Sequence, residues 1–222
     1  LLNQKKVMNL FKKMNFDIVL IAAAKVGGIY SNSKYSFDFL LENLSIQNNI
    51  FNGCLKYNVR KTMFLGSSCI YPKHAKIPIK EKYILSGKLE KTNEAYALAK
   101  ISGLRAAESM ILKHNMDVRC FMPSNLFGYK DQFFDEKNSH VLPALMHRIY
   151  EAKLNNLPEV IVWGDGSPKR EFMFSEDLAK NLVKCMMLNK KTFYQNIEEN
   201  YFYNIGSNFE ITIKLLCKKL TK

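Results

Sequence analysis

Tyr96 and Lys100 stand four residues apart in "NEAYALAK" (93–100), a stretch rich in helix formers. On a helix, residues at i and i+4 lie one above the other, so the phenol and the ammonium would share a face. A neighbouring cation favours the phenolate and draws a tyrosine below its usual pKa of about 10. A phenol tuned in this way can act as a general acid or base. The same spacing also suits an amphipathic helix with a half-buried Tyr and a solvated Lys. The pair alone does not choose between the two, and the elements that carry it must.

Those elements alternate. "DIVLIAAA" (17–24) reads as a buried strand ending in a small-residue loop, and "FDFLLENLSIQNNIFNGCLKY" (37–57) as a long amphipathic helix. "KTMFLGSSCIYP" (61–72) reads as a strand that stops at Gly66. A loop through Pro72 and Pro78 then leads to a second long helix at 91–114, with Thr92 or Asn93 as its N-cap. "DVRCFM" (117–122) is a third strand, closed by Pro123. Short strands alternating with helices of about twenty residues predict parallel βαβ units and a doubly wound α/β sheet. Right-handed crossovers bring the carboxyl ends of all strands to one edge, where such sheets bind ligands. Beyond residue 135 the rhythm changes. The pattern predicts a helix at 138–153, two short strands around the Gly-Asp-Gly turn of 159–174, and a Ser-capped helix at 175–188. A strand at 201–206 and a last helix at 211–220 follow. The boundary between the sheet domain and a smaller lobe falls within 124–140, with interleaving expected.

With this topology Ser67 ends the second strand and can meet the Tyr96 phenol across the sheet edge. A Ser–Tyr–Lys cluster has a chemical logic. Ser polarises a carbonyl oxygen, Tyr gives that oxygen a proton, and Lys tunes the Tyr and can hold the ribose of a nicotinamide cofactor. No G-x-G-x-x-G or G-x-x-G-x-x-G occurs in the 222 residues. The phosphate-cradling turn that follows the first strand of a dinucleotide fold is therefore not among them. Either the sheet is not of the dinucleotide-binding kind, or its first βαβ unit precedes residue 1 and "DIVLIAAA" is a later strand.

Composition narrows the class. No apolar run approaches the ~18–20 residues of a membrane span, and the start lacks the order of a signal peptide. Cys54, Cys69, Cys120, Cys185 and Cys217 are widely spaced, odd in number and free of any C-x-x-C pair. That argues against a disulfide framework or a zinc site and fits a reducing, cytoplasmic setting. The net charge of +13 is mostly lysine, scattered in pairs and without an Arg-rich, aromatic-interleaved patch. No nucleic acid, no membrane and no metal are expected; attraction of an anionic small substrate is another use for such a field.

Several stretches taken together, in order, carry a resemblance. They are "AAAKVGGI" (22–29), "FLGSSCIYP" (64–72), "LEKTNEAYALAKISG" (89–103), "MPSNLFG" (122–128), "NSHVLPAL" (138–145) and "VWGDGSPKREF" (162–172). They resemble the extended short-chain dehydrogenase/reductases and, within them, the GDP-L-fucose synthase family. The resemblance implies a Rossmann-like, doubly wound parallel sheet whose first βαβ unit precedes residue 1. A smaller α/β substrate lobe, incomplete at the carboxyl end, would complete it. The implied parts are a partial NADP-binding domain at 1–135 and a partial substrate lobe at 136–222.

The implied activity is NADPH-dependent 3,5-epimerisation and 4-keto reduction of GDP-4-keto-6-deoxy-D-mannose, with a homodimer expected. Ser67, Tyr96 and Lys100 match the family's catalytic triad. Cys69 matches the base of the epimerisation and His140 its acid partner; a thiol and an imidazole titrate on either side of neutral pH. The cofactor NADP(H) would lie along Ala23, Leu65, Gly66, Ser67, Ser68, Pro123, Ser124, Asn125 and Leu126, reaching Tyr96, Lys100 and His140. Arg148, Trp163 and Arg170 match positions that hold the GDP-sugar. Ser124 and Phe127 replace the more usual Thr and Tyr, and the loop 131–138 is slightly enlarged.

Bland alternatives stand beside these roles. Cys69 could be packing, His140 a helix cap, Trp163 a core anchor, and Arg170 a salt-bridge partner of Glu171. Other sugar-nucleotide 4-epimerases or 4,6-dehydratases share Tyr-x-x-x-Lys. A catalytically inactive basic scaffold is the reading from a different class.

Overall fold

A computed structural model describes residues 1–131, 139–197 and 200–221, so most of the loop 131–138 lies outside the described residues. The larger sheet has four parallel strands in the order β1-β2-β3-β6: β1 (Ile18–Ile21), β2 (Lys61–Leu65), β3 (Val118–Pro123) and β6 (Phe202–Ile205). Successive side chains of a strand point to opposite faces, and the core divides accordingly. Phe64, Val118, Cys120 and Met122 enter the cluster formed with α3 (Ser36–Lys56) and α4 (Glu94–His114), through Ile50, Phe51, Cys54, Ile101 and Leu104. Met63 and Phe121 enter the opposite cluster, with Leu178 and Leu182 of α6 (Ser175–Met187) and Phe193 of α7 (Lys190–Tyr194). Coverage on both faces is why β2 and β3 carry the consecutive apolar stretches Met63–Leu65 and Cys120–Pro123.

Two expectations about β1 and its surroundings change. β1 is an edge strand with Leu20 44% exposed, so it is not fully buried. Two helices not expected from the sequence also flank it. α1 (Gln4–Met14) is amphipathic, with Val7 and Phe11 at i and i+4 buried, and Asn3 caps it by accepting the Lys6 N–H at 2.9 Å. The short α2 (Ile29–Lys34) follows the Gly27–Gly28 loop.

Residues after 135 serve both sheets. β6 returns to the larger one, whereas β4 (Asn125–Phe127), β5 (Lys169–Phe174) and β7 (Glu210–Thr212) form a small second sheet. There β4 and β5 are parallel, and β5 and β7 antiparallel. α5 (Val141–Leu154) and α8 (Ile213–Leu220) share a core with it through Leu142, Leu145, Ile211 and Leu216.

Only one of the two strands expected in 159–174 exists among the described residues. Residues 159–163 run irregularly and largely exposed, because Gly164 and Gly166, both at positive φ, turn the chain before it reaches β5. Ser175 begins α6 without a side-chain cap bond, and the last helix starts two residues late because Ile211 and Thr212 belong to β7.

At the amino end of the sheet, two buried cations close α6. Arg119, with no exposed surface, forms a two-pronged pair with Asp117 at 2.8 and 2.7 Å and donates to the Cys185 and Leu188 carbonyls. Lys61 donates to Met186 and Leu188. Cations at a helix C-terminus satisfy its orphan carbonyls and oppose the negative dipole end. This anchor holds α6, and with it β5, against the sheet.

Candidate active site

The site is assembled where β2 ends. Ser67 leaves the strand in extended conformation, and its Oγ accepts the Cys69 N–H at 3.3 Å, closing the tight turn at Ser68–Ile70. α4 starts at Glu94 and brings Tyr96 back over this turn, where the phenol interacts with the Ser67 hydroxyl. Lys100, one turn on, is buried; its Nζ donates to the Leu65 carbonyl at 2.8 Å and lies over the Phe64 and Tyr96 rings at 4.9 and 5.8 Å. Ser67, Cys69, Tyr96 and Lys100 thus form one group at the carboxyl end of β2.

The electrostatics differ from the expectation in one respect. Burial drives the Tyr96 phenol well above the usual tyrosine range, helped by the nearby Cys69 and only partly offset by Ser67. Burial also pulls Lys100 down to about 8. Loss of hydration therefore leads both shifts. In this state Tyr96 is a protonated donor at neutral pH, not a phenolate. Cys69 is likewise raised by burial, with Ser67 and the positive charge of Arg170 acting in the opposite direction. Arg170, on β5, is therefore close enough to be felt at the thiol.

A residue outside the sequence-based list joins the group. Asn93 occupies the N-cap position of α4 but makes no side-chain cap bond; its Nδ2 donates to Cys69 Sγ at 3.3 Å. Its Oδ1 is buried without a partner among the described residues. Capping statistics point Asn93 at the helix N–H groups, so only the three-dimensional return of α4 to the Cys69 turn reveals the other use. Of the two N-cap candidates, Asn93 holds the position, without a side-chain cap bond, and Glu90 accepts the Thr92 N–H.

Other expected residues sit at the carboxyl ends of the strands or just past them. Gly66 is held by its N–H to Phe121 O at 2.9 Å, and any Cβ there would strike the Met122 side chain. Ser124 follows β3 with its N–H on Ile205 O and its Oγ buried and unpartnered among the described residues. Ala23 is exposed just past β1, and Ser68 and Leu126 are half-buried. Asn125 donates to Glu171 O at 3.0 Å, and Pro123 pairs with Ile205.

His140 is exposed at the start of α5, where its side chain makes no cap bond. No hydrogen bond among the described residues joins it to the Ser67–Cys69–Tyr96 group. Arg148 stacks over the Trp163 ring at 4.5 Å, and Trp163 is 71% exposed, which rules out a core anchor. Arg170 donates to Lys169 O, while the Glu171 carboxylate accepts the Asn208 N–H at 3.0 Å. A cavity of about 810 Å³ at the other end of the sheet, near Lys61 and Lys190, includes none of these residues.

A nicotinamide dinucleotide suits this edge. Buried polar atoms without partners call for a ligand or water, and Ser124 Oγ is such an atom at the carboxyl end of β3 among the described residues. Among the described residues no helix is long and apolar enough to cross a membrane, and no cluster of metal-ligating side chains occurs.

Comparison with known proteins agrees with this architecture. The sequence profile of the NAD dependent epimerase/dehydratase family matches residues 1–206. A GDP-L-fucose synthase from Escherichia coli (strain K12) is 42% identical over 223 residues, covering 100% of this chain and 69% of its own length. A putative GDP-L-fucose synthase 2 from Arabidopsis thaliana is 46% identical over 98% of the chain, which spans 64% of that relative's length. Among solved structures, a GDP-mannoheptose C4 reductase from Campylobacter jejuni with NADP bound superimposes with a TM-score of 0.88 at 30% identity. That match covers 99% of this chain and 73% of the other.

Proposed function

The chain belongs to the NAD dependent epimerase/dehydratase family, and from that premise we propose that the whole protein converts GDP-4-keto-6-deoxy-D-mannose to GDP-L-fucose with NADPH. The observation that carries the reading is the meeting of Ser67, Cys69, Tyr96 and Lys100 at the carboxyl end of β2. Related GDP-L-fucose synthases of bacterial and plant origin support the substrate.

In this reading the 4-keto oxygen sits against the Ser67 hydroxyl and the Tyr96 phenol. NADPH, when bound, supplies the hydride for C4. Tyr96, kept protonated by burial, transfers its proton to the developing alkoxide. Lys100 orients Tyr96 from below and offers its ammonium to the cofactor ribose. Before reduction, the ketone acidifies the hydrogens on C3 and C5. Cys69 exchanges protons on one face of the ring and His140 on the other. The thiolate form of Cys69, which burial disfavours, is met by the Asn93 N–H, the Ser67 hydroxyl and the charge of Arg170. Asn93 thereby joins the assigned acid–base groups as a positioning residue. Arg148 and Arg170 would meet the diphosphate, since a guanidinium suits phosphate oxygens, and Trp163 would offer a stacking face.

We assign residues 1–135 to the cofactor-binding part and 136–222 to the sugar-nucleotide lobe, with an interleaved boundary: β4 joins the small sheet, and β6, α6 and α7 join the large one. Exposed Phe37 and Leu41 on α3 and Leu98 and Leu112 on α4 support a homodimer through these helices. The five free cysteines suit a cytoplasmic setting. Incubating the whole protein with the 4-keto-6-deoxy sugar nucleotide and NADPH tests the reading. It predicts matched NADPH oxidation and GDP-L-fucose formation. NADPH oxidation yielding only the C4-reduced, unepimerised sugar would favour a simple 4-reductase instead.

A further inference from the structure

The connection from Cys69 to Asn93 leaves the sheet beside one site residue and returns beside another, its ends joined by the Asn93–Cys69 contact. Between them it carries Lys73, His74, Lys76, Lys80, Lys82, Lys88 and Lys91 against two carboxylates, Glu81 and Glu90. All the basic residues are exposed. Both carboxylates are engaged within the structure. Glu81 Oε1 accepts the backbone N–H of Asn204 at 2.8 Å. Glu90 pairs with Lys73 at 2.8 Å and accepts the Thr92 N–H. Lys76, Lys80, Lys82, Lys88 and Lys91 have no carboxylate partner among the described residues; the next exposed carboxylate along the chain is Glu94.

The path of this strap is fixed. Lys73 N–H donates to Lys88 O at 2.9 Å, Asn204 Nδ2 donates to Ile79 O at 3.2 Å, and the Tyr71 hydroxyl donates to Asn204 Oδ1 at 2.5 Å. A strap tied to β6 at its middle and to the Cys69 turn at its ends carries five cations without a carboxylate partner among the described residues, on the segment that joins Cys69 to Asn93.

We propose that this strap is an electrostatic guide that draws a nucleoside diphosphate-linked ligand into the site. The identity of the ligand rests on the function proposed above; the sign and placement of the charge do not. Charges of one sign around a cleft raise the local concentration and the association rate of an oppositely charged ligand by about 10- to 1,000-fold. Their reach is about 30 Å at 0.01 M salt and about 8 Å at physiological ionic strength. The lysines need not touch the ligand, which suits side chains left mobile in water.

Stopped-flow association of GDP with the whole protein, followed across about 10 to 300 mM salt, tests the proposal without requiring turnover. The comparison is with the triple variant Lys80→Gln, Lys82→Gln, Lys88→Gln. The parent rate is expected to fall by about tenfold across the series. The variant should start several-fold lower, depend less on salt and converge with the parent at the top of the range. With the sugar-nucleotide substrate, kcat/KM should follow the same pattern while kcat stays unchanged. Identical salt dependences in parent and variant would overturn the guide. So would tight single-stranded nucleic-acid binding that the variant loses while GDP association stays the same. Salt-dependent GDP association lost in the variant, with no turnover of the sugar nucleotide in either protein, would support the guide and refute the proposed reaction.

Discussion

Replacing Lys100 by Met removes a charge that the fold holds out of water. Lys100 is 4% exposed, and burial draws it from 10.5 to about 8. That gap corresponds to about 3 kcal/mol. The folded-state pKa is depressed below the unfolded one, so between pH 8 and 10.5 the unfolded chain binds more protons and stability rises with pH. At pH 7 both states hold the proton and the full penalty applies. By pH 9.5 linkage returns about 2 kcal/mol of it. Met fills similar volume without the charge but leaves the Leu65 carbonyl, which now accepts Nζ at 2.8 Å, without its donor, at a cost of about 1–2 kcal/mol. Lys100→Met should therefore be more stable than the parent by about 1–2 kcal/mol at pH 7 and about equal to it at pH 9.5. Urea unfolding of both proteins at the two pH values reads this directly, with turnover lost in the variant. A variant less stable than the parent by the same amount at both pH values would refute the claim that Lys100 sits in the site as a strained, desolvated cation.

Other consequences follow from the same contacts. Arg119→Met leaves Asp117 and the α6 carbonyls unpaired, which should destabilise the protein by about 3–5 kcal/mol in chemical denaturation; a loss under 1 kcal/mol would show the anchor to be weak. Asn93→Ala removes the N–H donated to Cys69 and should slow C3 and C5 proton exchange by about tenfold while NADPH binding holds. Equal exchange would leave Asn93 a purely structural residue. Tyr96→Phe should lower the reduction rate by about 100- to 10,000-fold, with tight NADPH binding kept in a fluorescence titration.

The parts legible in the sequence are those that repeat a physical signal. α3 and α4 show it over twenty-one residues each, and β2 and β3 carry the consecutive apolar stretches Met63–Leu65 and Cys120–Pro123 because both faces are covered. Three-residue strands such as β4 and β7 carry no period, and they escaped. "EVIVW" has the composition of a strand, yet Ile161 is 75% exposed and no strand partners it among the described residues. Ser67, Tyr96 and Lys100 were legible because chain order and topology bring them together, and Cys69 entered only through the family resemblance. Asn93 was not, since its role depends on how α4 returns to the Cys69 turn. The sign of the Tyr96 shift was misread for a related reason. Spacing reveals the neighbouring Lys100 but not the burial that raises the phenol.

The central claim is that Cys69 and Tyr96, side by side, perform different proton transfers on one sugar ring. Deuterium entry at C3 and C5 of the 4-keto sugar nucleotide, in heavy water and with NADP⁺ in place of NADPH, tests it most directly. The whole protein and its Tyr96→Phe variant should both exchange these positions, and Cys69→Ser should lose exchange by about 100-fold or more. Undiminished exchange in Cys69→Ser, or its loss in Tyr96→Phe alone, would contradict the assignment.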